Sequence, residues 1–354
     1  MESASTLSAR IGAAIIASIS DAVCVTPTII GPHDTSSAAL EPDLRIRVPL
    51  ADHVRTLLVE CRPSGQPRHA RNAVNALLRC RHDMPDVYPI FGAPYVSPRS
   101  AALCKAANVG YADLCGNCRL CFDGIYILKE GQPNQSPQRR EQRSLYSARA
   151  TRVLRVCLVQ PHRTWKLTEL AATARVSIGH AANVTRRLTD REWMRRTSDG
   201  LLLTDAAGLL ADWAHEHTFR RSHVAAYYSL RSAAETETAL AAACEDAALR
   251  YALTGFSAAA RFAPVVRYQH ISAYIDADPA PIATRLGLEH VSSGANIFLL
   301  QPYDTGVFYG TQSIGGTRVV STIQTYLDVK DHPGRGPEAA EALLEQVIAP
   351  TWQT

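Results

Sequence analysis

Three closely spaced cysteines are the residues whose type and spacing most clearly suggest chemistry. Cys115, Cys118 and Cys121 lie in the stretch "DLCGNCRLCFDG", with two residues between neighbours. Thiolates at such spacings hold zinc ions or iron–sulfur clusters, and Cys104 on the predicted helix before them is a candidate fourth ligand. If residues 118–122 form a strand, Cys118 and Cys121 point to opposite faces and cannot bind one metal ion. The pattern therefore predicts packing thiols, with a redox or iron–sulfur sensor as the alternative.

A second candidate site contains Glu60, at the end of the apolar stretch "LLVEC" and just before a predicted helix. This arrangement resembles the restriction-endonuclease-like fold, in which a Glu-x-Lys at that place binds a metal ion and activates water. Asp43 and Asp52 are the candidates for a further acidic ligand. Arg62 stands where the fold has lysine, and arginine is not a proton acceptor at pH 7. We expect a domain without catalysis, with a metal-dependent DNA nuclease as the alternative.

A pair of aspartates in the last third of the chain is a third candidate. Ser257, with Asp276 and Asp278, resembles the Gly-Ser turn and the Asp-x-Asp of nucleotidyltransferases, where paired carboxylates hold Mg²⁺. The 18 residues between Ser257 and Asp276 form a longer gap than usual, and Pro279 ends the strand where an apolar residue is expected. The expected structure is therefore a pair of surface aspartates at a strand end.

Basic charge is concentrated in the middle of the chain. Residues 136–200 contain 14 basic and 5 acidic residues and so carry +9, whereas the whole chain carries +4. A concentrated positive patch is what binding to a phosphate backbone requires. No long apolar run predicts a transmembrane helix, and the N-terminus predicts a folded helix rather than a signal peptide. We therefore expect a cytoplasmic protein whose nine cysteines are mostly free thiols.

The same basic region has the element pattern of a winged helix-turn-helix domain. Apolar residues recur at helical spacing in residues 145–160 and 166–176, and a third helix follows Ser177, a favoured N-cap residue. A hairpin with a polar turn at residues 198–200 comes next. The inner face of the third helix is expected to contain Ile178, Ala181, Val184 and Leu188.

In a winged helix-turn-helix domain the third helix enters the major groove, where its N-terminal residues reach the base edges. Asparagine can read adenine and arginine can read guanine through two hydrogen bonds, and arginines at the start of the wing can contact phosphates. No acidic residue occurs between positions 177 and 189. The predicted DNA-binding residues are Ser177, His180, Asn183, Arg186, Arg187, Arg195 and Arg196.

The pattern of elements predicts a mixed α/β multidomain chain. Within its C-terminal part we expect helices at 232–252 and 336–348 and strands at 306–310 and 317–329. The predicted divisions are an N-terminal restriction-endonuclease-like α/β domain (1–129), a linker (130–144), a central winged helix-turn-helix (145–217) and a C-terminal α/β domain (218–354).

Four stretches in the second half carry a family resemblance. "YALTGFSAA", "GANIFLLQPYD", "STIQTYLDV" and "GRGPEAAEALL" resemble the AbiEi-type antitoxins and transcriptional regulators of type IV toxin–antitoxin systems. The resemblance spans most of residues 145–348. It implies a winged helix that binds the promoter of its own operon and a C-terminal domain that antagonises a nucleotidyltransferase-like toxin.

These observations together predict a sequence-specific regulator that binds double-stranded DNA and has neither catalytic activity nor a cofactor. Its expected partners are operator DNA, a toxin protein and a second copy of the chain in a homodimer. No membrane is expected among them.

Overall fold

The protein is described here by a computed structural model in which two compact units are distinguished. The first unit comprises residues 1–142 and 189–192, and the second comprises residues 143–188 and 193–354. Residues 136–144, most of the predicted linker, lie outside the described residues. Within the described part of the chain, no helix is both long enough and apolar enough to span a membrane. The described residues are 4–30, 42–84, 86–135, 145–218 and 221–353.

The first unit is built on a seven-stranded sheet whose strands lie side by side in chain order. Its elements are α1 (Ala4–Ala22), β1 (Thr28–Ile30), β2 (Leu44–Pro49), β3 (Val54–Cys61), α2 (Pro67–Asp83), β4 (Val87–Ala93), α3 (Pro98–Ala106), β5 (Gly110–Asp113), β6 (Cys118–Phe122) and β7 (Ile125–Lys129). β1, β2 and β3 form an antiparallel meander, β3, β4 and β5 are parallel, and β6 and β7 are antiparallel. Each parallel step needs a crossover, and α2 and α3 supply them.

Helices cover both faces of this sheet, which explains why its strands are so apolar. Ile11 and Ile15 of α1 pack on one face in the same cluster as Leu57 of β3. The next residue, Leu58, points to the other face and packs in a cluster with Leu77 of α2. The alternation of a strand therefore sends neighbouring residues of β3 into two separate cores.

The second unit contains a second seven-stranded sheet, with the strand order β13-β10-β14-β12-β11-β16-β15, and a two-stranded hairpin. Its elements are α4 (Ala148–Val159), α5 (Leu167–Thr173), α6 (Ile178–Asp190), β8 (Met194–Arg196), β9 (Leu201–Leu203), α7 (Ala206–Glu216), β10 (His223–Tyr228), α8 (Ala233–Asp246), β11 (Tyr251–Thr254), α9 (Gly255–Phe262), β12 (Ile271–Ile275), α10 (Ala280–Arg285), β13 (Glu289–His290), β14 (Ile297–Gln301), β15 (Gln312–Ile314), β16 (Thr317–Val319), α11 (Thr322–Lys330) and α12 (Gly336–Leu343).

Three predicted elements of this unit are wrong in type or length. The helix expected at 232–252 ends at residue 246, and residues 251–254 form the buried strand β11. The strand expected at 317–329 is the short β16 followed by helix α11, because the Ser321 hydroxyl accepts a hydrogen bond from the Gln324 N–H and caps the helix. The strand expected at 306–310 is mostly a 3₁₀ helix, Thr305–Phe308.

Three helices and a hairpin occur in the predicted order between residues 148 and 203. The backbone at Trp165 pairs with β9 of the hairpin. The Trp165 N–H donates to the Leu201 carbonyl and the Leu201 N–H donates to the Trp165 carbonyl, both at 2.8 Å. Gly200, in the predicted turn, has a φ of 148°, and a Cβ there would lie 2.4 Å from the Trp165 carbonyl oxygen. Only glycine fits at this position.

One hydrophobic core runs through residues on both sides of the predicted boundary at 217/218. Leu154 of α4 and Trp213 of α7 belong to the same buried cluster as Tyr326 of α11 and Leu343 of α12. Apart from residues 189–192, the helices at 148–216 and the C-terminal region therefore fold as parts of one compact unit, in agreement with the division at 142/143.

A fully buried carboxylate, that of Asp328 on α11, lies inside this unit. It accepts hydrogen bonds from Gln324 Nε2 at 2.8 Å, Thr254 Oγ1 at 2.5 Å and Tyr274 OH at 3.3 Å, and it lies 2.9 Å from His217 Nε2. Burial and the neighbouring carboxylate raise the pKa of Tyr274 well above its usual value, so this phenol remains a donor. A buried charge needs such a set of partners, because desolvation without them costs several kcal/mol.

Arg155 connects the helix α4 to this carboxylate through Gln324. Its Nε and Nη2 donate to Gln324 Oε1 at 2.9 and 2.7 Å, and its guanidinium lies 4.9 Å from the ring centre of Trp213. Arg155 is fully buried. We call Arg155, Gln324, Asp328, His217, Thr254 and Tyr274 the buried polar network.

Replacing Asp328 with leucine is expected to lower the free energy of unfolding by about 3–5 kcal/mol, because several buried donors lose their acceptor. Urea denaturation followed by circular dichroism measures this. The control is Asp331→Ala at the exposed end of the same helix, which should change stability by no more than about 0.5 kcal/mol. A loss below about 1 kcal/mol for Asp328→Leu would contradict the role given to the network.

Candidate functional site

The helix α6 has one buried face and one exposed face. Ala181, Val184 and Leu188 are buried, as predicted. Ile178 was expected beside them but is 53% exposed. It is the first residue of the helix, and a helical side chain leans toward the N-terminus, so its side chain extends past the end of the core.

The predicted DNA-binding residues of α6 differ in exposure. Ser177, Asn183 and Arg186 are exposed, whereas His180 and Arg187 are partly buried. Ser177 Oγ accepts the backbone N–H of His180 at 3.2 Å and so acts as the predicted N-cap. Arg186 Nη2 donates to Asn183 Oδ1 at 3.0 Å, which holds the two side chains together on the surface of the helix.

His180 differs from the other predicted contacts because its imidazole is sheltered. Burial, helped by the positive charges of Arg149 and Arg187, lowers the pKa of His180 below its usual value. Its Nε2 is buried and has no hydrogen-bond partner among the described residues. The ring is therefore neutral at pH 7 and adds no positive charge to the helix.

Arg195 and Arg196 lie on β8, in the hairpin that follows α6, and both side chains are exposed. Neither has an ion-pair partner within the described ranges. Together with Arg186 they form a basic region whose guanidinium groups are open to solvent. Ser177, Asn183, Arg186, Arg195 and Arg196 are called the basic face below.

The structure brings three of the four predicted nuclease residues together, at the end of β3. Arg62 Nη2 donates to Glu60 Oε1, and Arg62 Nη1 lies 3.5 Å from Asp43 Oδ2. Asp43 also accepts the backbone N–H of Cys61 at 2.7 Å. Asp52 lies before β3, at its opposite end, beside the exposed His53.

The geometry around Glu60 does not suit a metal ion. Burial raises the pKa of Glu60, while the Arg62 guanidinium opposes this shift. Because Arg62 already supplies the positive charge beside Glu60 and Asp43, a divalent cation would meet a fixed guanidinium there. The residues present do not fit the Mg²⁺ site of the fold that the sequence resembles.

The four cysteines of the predicted cluster are not brought together. Cys104 is buried on the α2 and α3 side of the first sheet, Cys118 is buried on the α1 side, and Cys121 is exposed. Cys115 is partly buried, and its thiol donates to the Pro94 carbonyl at 3.5 Å. Burial raises the pKa of Cys104 to about 12, which suits a packing thiol. No group of three or more metal-binding side chains occurs in the part of the chain that the structure describes.

The candidate nucleotidyltransferase residues have structural partners. Asp276 forms an ion pair with Arg250 at 2.5 Å, and Asp278 accepts the backbone N–H of Ala280 at 3.0 Å at the start of α10. Ser257 is fully buried in α9. Asp276 therefore belongs to an ion pair and Asp278 to the start of a helix, and the two carboxylates do not form a pair.

Comparison with known proteins bears on the second unit. Residues 202–349 match the family AbiEi_2, described as "Transcriptional regulator, AbiEi antitoxin, Type IV TA system". We call residues 202–349 the AbiEi region, after the family to which they are similar. The match confirms the resemblance in this region, and it begins inside β9, after the helix α6. No curated protein and no solved structure matches the chain.

Five of the six residues of the buried polar network lie within the AbiEi region, and the network was not predicted from the sequence. Gln324 and Asp328 lie on α11 within the matched residues, whereas Arg155 lies before them. A signal was present, since Arg155 and Asp328 interrupt apolar runs at positions that face the core. A charged residue at such a position predicts a buried partner.

Added Mg²⁺ is expected to leave the melting temperature of the wild type unchanged, because Arg62 already pairs with Glu60 and Asp43. In the Arg62→Ala variant the two carboxylates are freed, and Mg²⁺ should raise the melting temperature. Differential scanning fluorimetry with Mg²⁺ or EDTA measures both. Cleavage of plasmid DNA by the wild type with Mg²⁺, lost in Glu60→Ala, would show that this interpretation is wrong.

Proposed function

We propose that the chain is a DNA-binding transcriptional regulator of antitoxin type, in which residues 145–217 act as a winged helix-turn-helix. The family of the matched region is one of transcriptional regulators and antitoxins. The observation that carries the proposal is the basic face on α6 and β8. A helix with exposed Asn and Arg and no acidic residue before position 190 suits the major groove.

Different residues of α6 and β8 are proposed to have different roles in DNA binding. Asn183 and Arg187 read base edges, for which asparagine and arginine have matching pairs of hydrogen-bonding groups. Arg195 and Arg196, exposed on the hairpin, contact phosphates and position the helix. His180, neutral and partly buried, contributes contacts rather than charge.

The exposure of Ile178 adds support to this interpretation. Ile178, at the first position of the helix, is 53% exposed, so about half of its apolar side chain remains in water in the free protein. In a major groove it would contact apolar groups such as the thymine methyl. The same residue gives no advantage on a helix that only faces water.

The first unit is proposed to be a restriction-endonuclease-like domain that has no catalytic role. Glu60 and Arg62 stand at the end of a strand that is followed by a helix, which supports the fold. The ion pairs of Arg62 with Glu60 and Asp43 argue against metal-dependent cleavage. We further propose that the AbiEi region antagonises a toxin and that the protein acts as a homodimer.

Alanine substitutions at Asn183 and Arg187 are each expected to weaken binding to the preferred DNA site by about 1–3 kcal/mol, with little change in non-specific binding. Fluorescence anisotropy with a labelled duplex from directly upstream of the coding sequence measures this, against a scrambled duplex. Arg231→Ala, at an exposed arginine far along the chain, is the matched control. Equal preference for the two duplexes in wild type and variants would refute the role of α6.

Alanine substitutions at Arg195 and Arg196 should instead weaken binding to both duplexes alike. Each lost phosphate contact is expected to reduce the slope of log affinity against log salt by about 1. Titrations at several NaCl concentrations give this slope. An unchanged slope would remove the two arginines from the interface.

A further inference from the structure

A cavity of about 260 Å³ lies within the second unit, beside the turn that leads to α6. Its walls come from α4, from residues 173–175 at the end of α5, and from the 3₁₀ helix at 305–308. The residues that matter for its chemistry are Arg152, Arg175, Arg250, Thr305, Phe308 and Tyr309. We call it the arginine cavity. None of the predicted functions uses it.

The lining of the arginine cavity is strongly cationic, since it has three arginines and no acidic residue. Asp304, just outside the lining, holds Arg152 in place with Nε–Oδ1 at 2.9 Å. Arg250 is paired with Asp276 and lies over the Phe308 ring at 4.6 Å. These contacts fix two guanidinium groups in space without filling the cavity.

Arg175 supplies an uncompensated charge. Its side chain is exposed and has no ion pair in the described ranges, while its carbonyl accepts Arg152 Nη1 at 3.3 Å. Three guanidinium groups against two nearby carboxylates leave a local excess of positive charge. An anion is the ligand that such a site favours.

A second, independent observation points to a missing acceptor. Arg155 is fully buried, and its Nη1 has no hydrogen-bond partner among the described residues. Arg155 does not itself line the cavity, but this nitrogen lies close to Gly306, which does: a Cβ built on Gly306 would be 3.5 Å from it. Buried guanidinium groups without an acceptor are costly, so an acceptor at this place would stabilise the fold.

We propose that the arginine cavity binds the phosphate monoester of a small, sugar-sized molecule. A phosphate dianion offers oxygens to several arginines at once, which a single carboxylate does not. The aromatic Phe308 and Tyr309 give the remainder of the ligand an apolar wall. The volume is at the small end of ligand pockets and leaves no room for a dinucleotide or a peptide.

Isothermal titration calorimetry on the full chain tests the proposal with ribose 5-phosphate, inorganic phosphate, AMP and ribose. Ribose 5-phosphate is expected to bind with a Kd below about 1 mM, inorganic phosphate more weakly, and ribose not at all. Arg175→Gln and Arg250→Gln should each weaken binding by about tenfold or more, and Arg231→Gln should not. Arg175 is exposed, so its variant keeps the test decisive if Arg250→Gln fails to fold.

Two results would overturn the proposal. One is that none of the phosphorylated probes binds the wild type, or that Arg175→Gln binds them as the wild type does. The other is that the arginine variants lose DNA affinity while they keep ribose 5-phosphate binding, which would assign these arginines to the DNA backbone. DNA binding is measured separately by anisotropy. The calorimetry can therefore refute the phosphate-binding proposal without bearing on the proposed regulator function.

Discussion

The buried carboxylate of Asp328 is the constraint on which the second unit depends. It has no exposed surface, so its desolvation must be offset by donors that arrive with the right geometry. Those donors come from the neighbouring strands β11 and β12, from its own helix and from the segment after α7. Since Arg155 reaches the same network through Gln324, the helix α4 is fixed relative to the AbiEi region.

This arrangement explains how the basic face can remain exposed. The apolar sides of α4, α6 and α7 share a core with α11 and α12, so stability comes from the buried side of each helix. The outer side of α6 is then left for polar residues that take no part in the core. In the first unit, Arg62 forms ion pairs with both Glu60 and Asp43 at the end of β3.

Much of the fold follows from the sequence, because periodicity reports burial. The helix that follows Glu60 and the three helices of 148–190 were predicted from it, and the turn at 198–200 was predicted from its polar residues. Residues 251–254 and 322–330 were misassigned, since short apolar runs suit a buried strand and a buried helix alike. Arg155 and Asp328 stand out within apolar runs, but their partners in the network could not be predicted, and neither could the arginine cavity, because contacts in both join residues more than a hundred positions apart.

The central claim is that α6 and the β8–β9 hairpin read DNA. Hydrogen–deuterium exchange measured by mass spectrometry, with and without a duplex from upstream of the coding sequence, tests it most directly. The account predicts that DNA slows exchange in peptides covering residues 177–190 and 194–203, while peptides of the first sheet keep their rates. Protection confined to the first unit, with no change in those two segments, would contradict it.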